Sequence, residues 1–185
     1  LQRAIPHYRL TLFKKLSLEP SFNLTIAASD YDRNTSTGLP AENLEGINLK
    51  RIRIYKLSRI LLFQQLVLLR HYDVIILDIS INILSNPVYI FLAKFCNVKI
   101  IGWGKGIPQN ANKTESSVHR YYKKLIAKQC DCLILYGEVS KRYFEDLGIK
   151  NPMLVAQNTI DIQFLIENQK VLSEKGKALR NELGI

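Results

Sequence analysis

Short apolar runs alternate along the chain with longer stretches of helical period. Residues 22–29 (FNLTIAAS), 72–80 (YDVIILDIS), 98–103 (VKIIGW), 132–136 (CLILY) and 153–156 (MLVA) predict strands. Several are apolar at consecutive positions, the pattern of a strand covered on both faces. Residues 48–57 (NLKRIRIYKL) alternate instead, with Ile52 and Ile54 facing one way and Arg51 and Arg53 the other. That pattern predicts one half-exposed strand towards a sheet edge.

Between these runs lie helices. Val118, Tyr121, Tyr122, Leu125 and Ile126 recur at one-face spacing, with His119, Arg120, Lys123, Lys124 and Lys128 opposite. Asn86-Pro87 opens an earlier helix, Asn as cap and Pro at the first helical position. Residues 138–147 read as a helix stopped by Gly148. Residues 58–70 are apolar nearly all round and predict a buried helix. Residues 1–5 run straight into a helix around 8–17, as though they were the end of a first strand whose beginning is missing. Residues 161–184 are polar and helical. The longest expected loops are 31–46 and 105–115.

Strand and helix alternating about five times predicts a parallel sheet with helices on both faces. The expected fold is a Rossmann-like, doubly wound α/β domain over residues 1–160, followed by a helical connector over 161–185. At 185 residues, 47% hydrophobic and 23% charged, the chain is long enough to bury a real core. No uncharged apolar run approaches the ~18–20 residues of a membrane-spanning helix. Gln64-Gln65 and Lys94 interrupt the greasiest stretches. The N-terminal residues carry no signal-like pattern, so the expectation is a cytoplasmic protein. Three cysteines, Cys96, Cys130 and Cys132, fit buried structural thiols in a reducing compartment; their spacing with three scattered histidines makes no standard zinc set.

Charge sharpens the picture. The net +10 divides into +11 over residues 1–128 and −1 over 129–185. Such a field attracts phosphate, whether in nucleic acid, lipid headgroups or a nucleotide-linked metabolite. Lys50, Arg51, Arg53, Lys56 and Arg59 form one basic stripe, and Lys123, Lys124 and Lys128 a second. No aromatic-interleaved platform or nucleic-acid motif accompanies them. An anionic membrane surface is therefore the favoured partner of Arg51, Arg53 and Lys56, against the plainer reading of a solvated face.

In an open parallel sheet, ligands bind beyond the carboxyl ends of the strands. The residues there are Pro6-His7-Tyr8, Asp30 and Asp32, Asp78, Gly104-Lys105-Gly106, Gly137-Glu138 and Asn158-Thr159. Two glycines around Lys105 let backbone approach a ligand while the ammonium meets phosphate or carboxylate; a tight turn with a solvated lysine is the alternative. Asp78, near the sheet centre, can bond a substrate hydroxyl, act as a base, cap a helix or pair with Lys105. His7 is a second acid–base candidate or a surface residue. No Walker loop, G-x-G-x-x-G or serine-hydrolase arrangement is present.

The order of Ile5-Pro6-His7-Tyr8-Arg9, Leu12-Phe13, Tyr72-Asp73-Val74-Ile75-Ile76, Trp103-Gly104-Lys105-Gly106, Tyr136-Gly137-Glu138 and Val155-Ala156-Gln157-Asn158-Thr159-Ile160-Asp161 resembles the amino-terminal half of bacterial family 4 glycosyltransferases, GT-B enzymes of surface polysaccharide assembly. The likeness spans nearly the whole chain. It implies one three-layer Rossmann-like half of a two-domain enzyme, binding a saccharide or lipid-linked acceptor. The other half would bind the nucleotide-sugar donor, and transfer would retain configuration and need no metal or other cofactor. This half alone would be inactive. The acceptor contacts implied are His7, Asp78, Gly104, Lys105, Gly106 and Glu138, with Asp78 and His7 the catalytic candidates. Asn158-Thr159-Ile160-Asp161 matches the family's Asn-Gly-Val-Asp with threonine for glycine, which places Asn158, Thr159 and Asp161 at the interdomain cleft. Lys105 stands where relatives often carry histidine in Trp-Gly-His-Gly, and the early Gly-Gly loop of many relatives is replaced by Arg3-Ala4-Ile5-Pro6-His7. The alternative is a non-enzymatic Rossmann-type nucleotide- or phosphate-binding module.

Overall fold

The computed structural model of the chain describes residues 1–2, 5–29, 46–58, 61–106, 115–157 and 166–184. Its centre is a four-stranded parallel sheet in the order β5 (Val74–Asp78), β6 (Lys99–Gly104), β7 (Cys132–Leu135), β8 (Met153–Val155). Successive strands are joined by α2 (Asn86–Cys96), α3 (Ser117–Gln129) and α4 (Glu138–Asp146). Parallel neighbours need such crossovers. Here α2, α3 and α4 all pack on one face of this sheet, burying Ile75, Leu77, Ile100, Leu133 and Leu135. Val74 and Leu154 on the other face are exposed, so the expected helical cover of both faces is seen in part. Leu77, Leu133 and Leu135 are at most 1% exposed; each such side chain contributes roughly 1.5–3 kcal/mol by leaving water.

A second parallel pair, β1 (Ile26–Ala28) with β2 (Leu49–Arg51), lies on the β5 side. The first residues of the chain connect it to the main sheet. Gln2 N–H donates to the Ala27 carbonyl at 2.8 Å, and the Leu1 nitrogen donates to the Ile76 carbonyl at 2.6 Å. Residues 1–2 thus run between β1 and β5, as the end of a strand would. They lead through a 3-10 turn, His7–Arg9, into α1 (Leu10–Ser17).

Two expectations are corrected. The single alternating strand over residues 48–57 is divided: Leu49–Arg51 pairs with β1, whereas β3 (Ile54–Lys56) pairs antiparallel with β4 (Leu62–Gln64). Its burial pattern survives the break, with Ile52 buried and Arg51 and Arg53 exposed. The buried helix over residues 58–70 does not form. The Leu57 N–H donates to the Leu61 carbonyl and Ser58 Oγ accepts from the Leu61 N–H, closing a turn into β4. Leu69–His71 is a 3-10 turn. An apolar run without period cannot tell buried helix from buried strand, and here cross-strand pairing prevails.

The amphipathic reading of α3 holds over half its length. Tyr122 is half-buried and Ile126 and Ala127 are buried, but Val118, Tyr121 and Leu125 are exposed, so only the second half lies on the sheet. Asn86 is the first residue of α2 rather than its cap; Ser85 holds the cap position. Gly148, at φ +73°, ends α4 as expected. The final helix α5 (Gln169–Leu183) has no buried residue. Of the cysteines, Cys130 is buried and its thiol pushed up to about 12 chiefly by that burial; Cys132 is half-buried, and Cys96 is exposed, against the expectation of a buried thiol.

Candidate functional site

The carboxyl ends of β5, β6 and β7 bring Asp78, Trp103 and Tyr136 to one edge of the sheet. Asp78 and Trp103 are register partners across β5 and β6. Trp103 pairs with Ile134, two residues before Tyr136. The rings of Trp103 and Tyr136 meet edge to face, centroids 6.3 Å apart, and Phe13 of α1 meets Trp103 in the same way at 6.3 Å.

Into this aromatic set the 3-10 turn delivers Arg9. Arg9 stands at the cap position of α1, four residues before buried Phe13, and so shares the inward side of Phe13. Arg9 is only 8% exposed. Its guanidinium carbon lies 4.6 Å from the Trp103 ring centroid, 5.5 Å from Tyr136 and 5.7 Å from Tyr8. Such contacts favour a cation through the ring quadrupoles. Nη1 donates to Gln2 Oε1 at 2.9 Å and Nη2 donates to the Tyr136 hydroxyl. Both acceptors are neutral. Among the described residues no carboxylate forms an ion pair with Arg9, and Arg9 Nε and Trp103 Nε1 are buried without hydrogen-bond partners. Burial pushes the Tyr136 phenol up; the nearby guanidinium opposes that shift.

Asp78 is half-buried, and its Oδ1 accepts the Ser80 N–H at 3.0 Å. Its own carbonyl accepts from Asn86 Nδ2 at 2.7 Å, tying the start of α2 to the end of β5. Gly104 sits in a tight place: a Cβ there would stand 3.0 Å from the Ile79 side chain and 3.8 Å from Asp78 Oδ1. Lys105 is exposed just beyond. Gly106 holds φ +71°, with Phe144 so close that a Cβ would come within 2.3 Å of its ring. Glu138 is exposed in the first turn of α4.

Asp78, Gly104, Lys105 and Gly106 therefore cluster at this edge, with Glu138 opening the helix that follows Tyr136. The backbone of His7 opens the 3-10 turn; its side chain lies outside the described residues, as do Asn158, Thr159 and Asp161, together with Asp30 and Asp32. Arg51, Arg53 and Lys56 are exposed elsewhere, along β2 and β3. Arg9, Trp103 and Tyr136 were not singled out from sequence as site residues. The available signal was the arginine four residues before Phe13, a charge where the period of α1 calls for an apolar side chain.

A second polar cluster lies where the segment after β6 re-enters the described fold. Lys123 Nζ is 2.5 Å from Glu115 Oε1, with side chains 11% and 12% exposed, and the Tyr143 hydroxyl donates to Glu115 Oε2 at 2.5 Å. Burial alone would raise the Glu115 carboxyl, but the hydrogen bonds from Lys123 and Tyr143 outweigh it and hold the group below its usual range. Burial and the Glu115 contact push the Tyr143 phenol up. Among the described residues no three His, Cys, Asp or Glu side chains gather to hold a metal ion, and no helix is long and apolar enough to cross a membrane.

Comparison of the chain with family models, with curated proteins and with solved structures found no match in any of the three.

Proposed function

We propose that the chain is the acceptor-binding half of a retaining GT-B glycosyltransferase, which moves a sugar from a nucleotide-sugar donor to a polysaccharide or lipid-linked acceptor. One observation carries this reading. The ends of β6 and β7 gather Trp103 and Tyr136, with Tyr8 of the 3-10 turn, around Arg9 and beside a carboxylate, Asp78, at the place where open parallel sheets bind ligands. An aromatic wall with a few convergent polar groups suits a saccharide, whose apolar ring face stacks while its hydroxyls hydrogen-bond. The family resemblance of the sequence agrees with it. So does a parallel arrangement in which residues 1–2 bridge β1 and β5, giving the spatial order β2, β1, residues 1–2, β5, β6, β7, β8, with the β3–β4 hairpin outside it.

In this reading Asp78 orients an acceptor hydroxyl, Gly104 and Gly106 admit the acceptor close to backbone, and Lys105, His7 and Glu138 line its approach. Asn158, Thr159 and Asp161 belong to the cleft wall facing a donor domain. Exposed Arg51, Arg53 and Lys56 rest on the anionic inner face of the cell membrane. The natural gene product should transfer sugar from a nucleotide-sugar to a saccharide acceptor, and Asp78→Asn should lower kcat/KM at least tenfold. Calorimetry on the 185-residue chain should detect saccharide and not nucleotide. Submillimolar nucleotide binding by this chain, with no transfer by the gene product, would instead favour the nucleotide- or phosphate-binding module, a reading to which the buried Arg9 cation also lends itself.

A further inference from the structure

Arg9 presents a chemical imbalance that the neutral-saccharide picture leaves unused. A guanidinium keeps its charge when buried, and a buried charge is costly unless paired and hydrogen-bonded. Here the charge meets two neutral acceptors, Gln2 and Tyr136, and three aromatic faces. Its Nε–H, and the indole N–H of the tryptophan packed on it, are buried donors without acceptors. Buried donors in native proteins are nearly always satisfied. Gln64 Nε2 and the Tyr122 hydroxyl also lack partners here; what sets these two apart is that one belongs to a buried cation and the other to the ring packed on it. A planar guanidinium fork that retains its Nε edge has the geometry that grips a carboxylate or phosphate through two oxygens.

The surroundings point the same way. Lys105 follows Trp103 by two residues, and α4 begins two residues after Tyr136 with no side-chain cap on its N-terminal N–H groups. Both favour negative charge at this edge. Asp78, half-buried beside Trp103, keeps the position from being a general anion sink: it repels a bare anion but can accept from a hydroxyl of a ligand that carries both groups.

We propose that Arg9 and the Trp103 indole N–H form an oxyanion subsite that reads an acidic group, carboxylate or phosphate, on a saccharide acceptor. The proposal rests on the acceptor-binding reading of the strand-end surface and adds the acceptor's charge to it. A uronic acid would supply a carboxylate and a sugar phosphate or lipid-linked phosphate the other oxyanion.

The test uses the unmodified chain. Its one tryptophan gives a single indole resonance, and the Arg9 Nε–H can be assigned through its contact with that ring. Isotope-labelled protein is titrated with glucuronate, with inorganic phosphate and with glucose, each to roughly 50 mM, well past a millimolar site. Both resonances should shift saturably with at least one anion and stay in place with glucose. A response to glucuronate alone assigns a carboxylate; a response to phosphate alone assigns a phosphate. Arg9→Lys, which keeps the charge and loses the fork, should weaken binding at least tenfold, and Arg9→Gln should abolish it. Resonances unmoved by either anion, moved equally by glucose, or moved by anions in Arg9→Gln as in the wild type would overturn the subsite, and the wild-type titrations decide even if the variants fail to fold. Sugar transfer by the gene product to a neutral acceptor with no anion response would sink this subsite alone. Anion-induced shifts without transfer to any acceptor would sink the glycosyltransferase reading alone.

Discussion

Two cations of this protein are withdrawn from water among aromatic rings, and they are treated differently. Lys123 lies 5.4 Å from the Tyr143 centroid and has its counter-ion, Glu115, at 2.5 Å, with the Tyr143 hydroxyl completing the set. Arg9 lies 4.6 Å from the Trp103 centroid and has neutral acceptors only. The first is closed in charge: Lys123 and Glu115 offset each other, although Glu115 Oε1 has no well-formed hydrogen bond, and the set fastens the start of α3 to α4. The second is open: charge and donors are in place and the complementary group is not supplied by the described residues. A low-dielectric site of the second kind makes sense where a ligand brings the missing charge, because it binds the ligand more strongly than the same groups would in water.

The largest effect should come from opening the closed set. Lys123→Met leaves the half-buried Glu115 carboxylate with the Tyr143 hydroxyl and the nearby His119, and urea unfolding should show a loss of about 3 kcal/mol. Adding Glu115→Gln should recover much of it, since the stranded charge disappears. Glu115 has its carboxyl held below the usual range, so its stabilisation is complete above that range and is lost as pH falls through the folded-state value. Glu115→Gln should therefore flatten the acid limb of the stability profile below about pH 4.

Gly106→Ala comes next. It forces a side chain onto φ +71° and into the Phe144 ring, one residue from Tyr143, and should cost about 2 kcal/mol in the same measurement. It perturbs the closed set through packing while leaving every charge in place. Asp131→Ala is a milder reference for an ordinary, partly exposed pair. Asp131 accepts from the Ile100 N–H at 2.8 Å and from Lys99 at 2.9 Å, with its side chain 41% exposed. Its loss should cost about 1 kcal/mol, most of it from the backbone hydrogen bond.

The parallel sheet was legible because the strands are apolar runs separated by helical stretches. Those read over residues 72–80, 98–103, 132–136 and 153–156 became β5 to β8, though burial along them alternates instead of covering both faces. The strand ends were legible by the same logic, which brought Asp78 and Gly104 forward. Residues 58–70 misled because unbroken hydrophobicity carries no period. The Val118 face misled because amphipathicity shows which side can be buried, not how far along the helix a neighbour reaches. Arg9 was not legible for another reason: a charged residue at the start of a helix reads as solvated unless its register with Phe13 is followed. Charge counted along the chain found the excess of cations but could not say that one of them is buried with no carboxylate paired to it among the described residues.

The smallest expected effect tests the comparison most directly. Arg9→Met removes the buried charge at the expense of the aromatic contacts and two hydrogen bonds, terms of opposite sign and similar size. Urea unfolding of this variant without ligand should match the wild type to within about 1 kcal/mol, in contrast to the loss in Lys123→Met. A loss for Arg9→Met as large as that for Lys123→Met would show that Arg9 is a structural prop like its counterpart, and the distinction between an open and a closed site would fall.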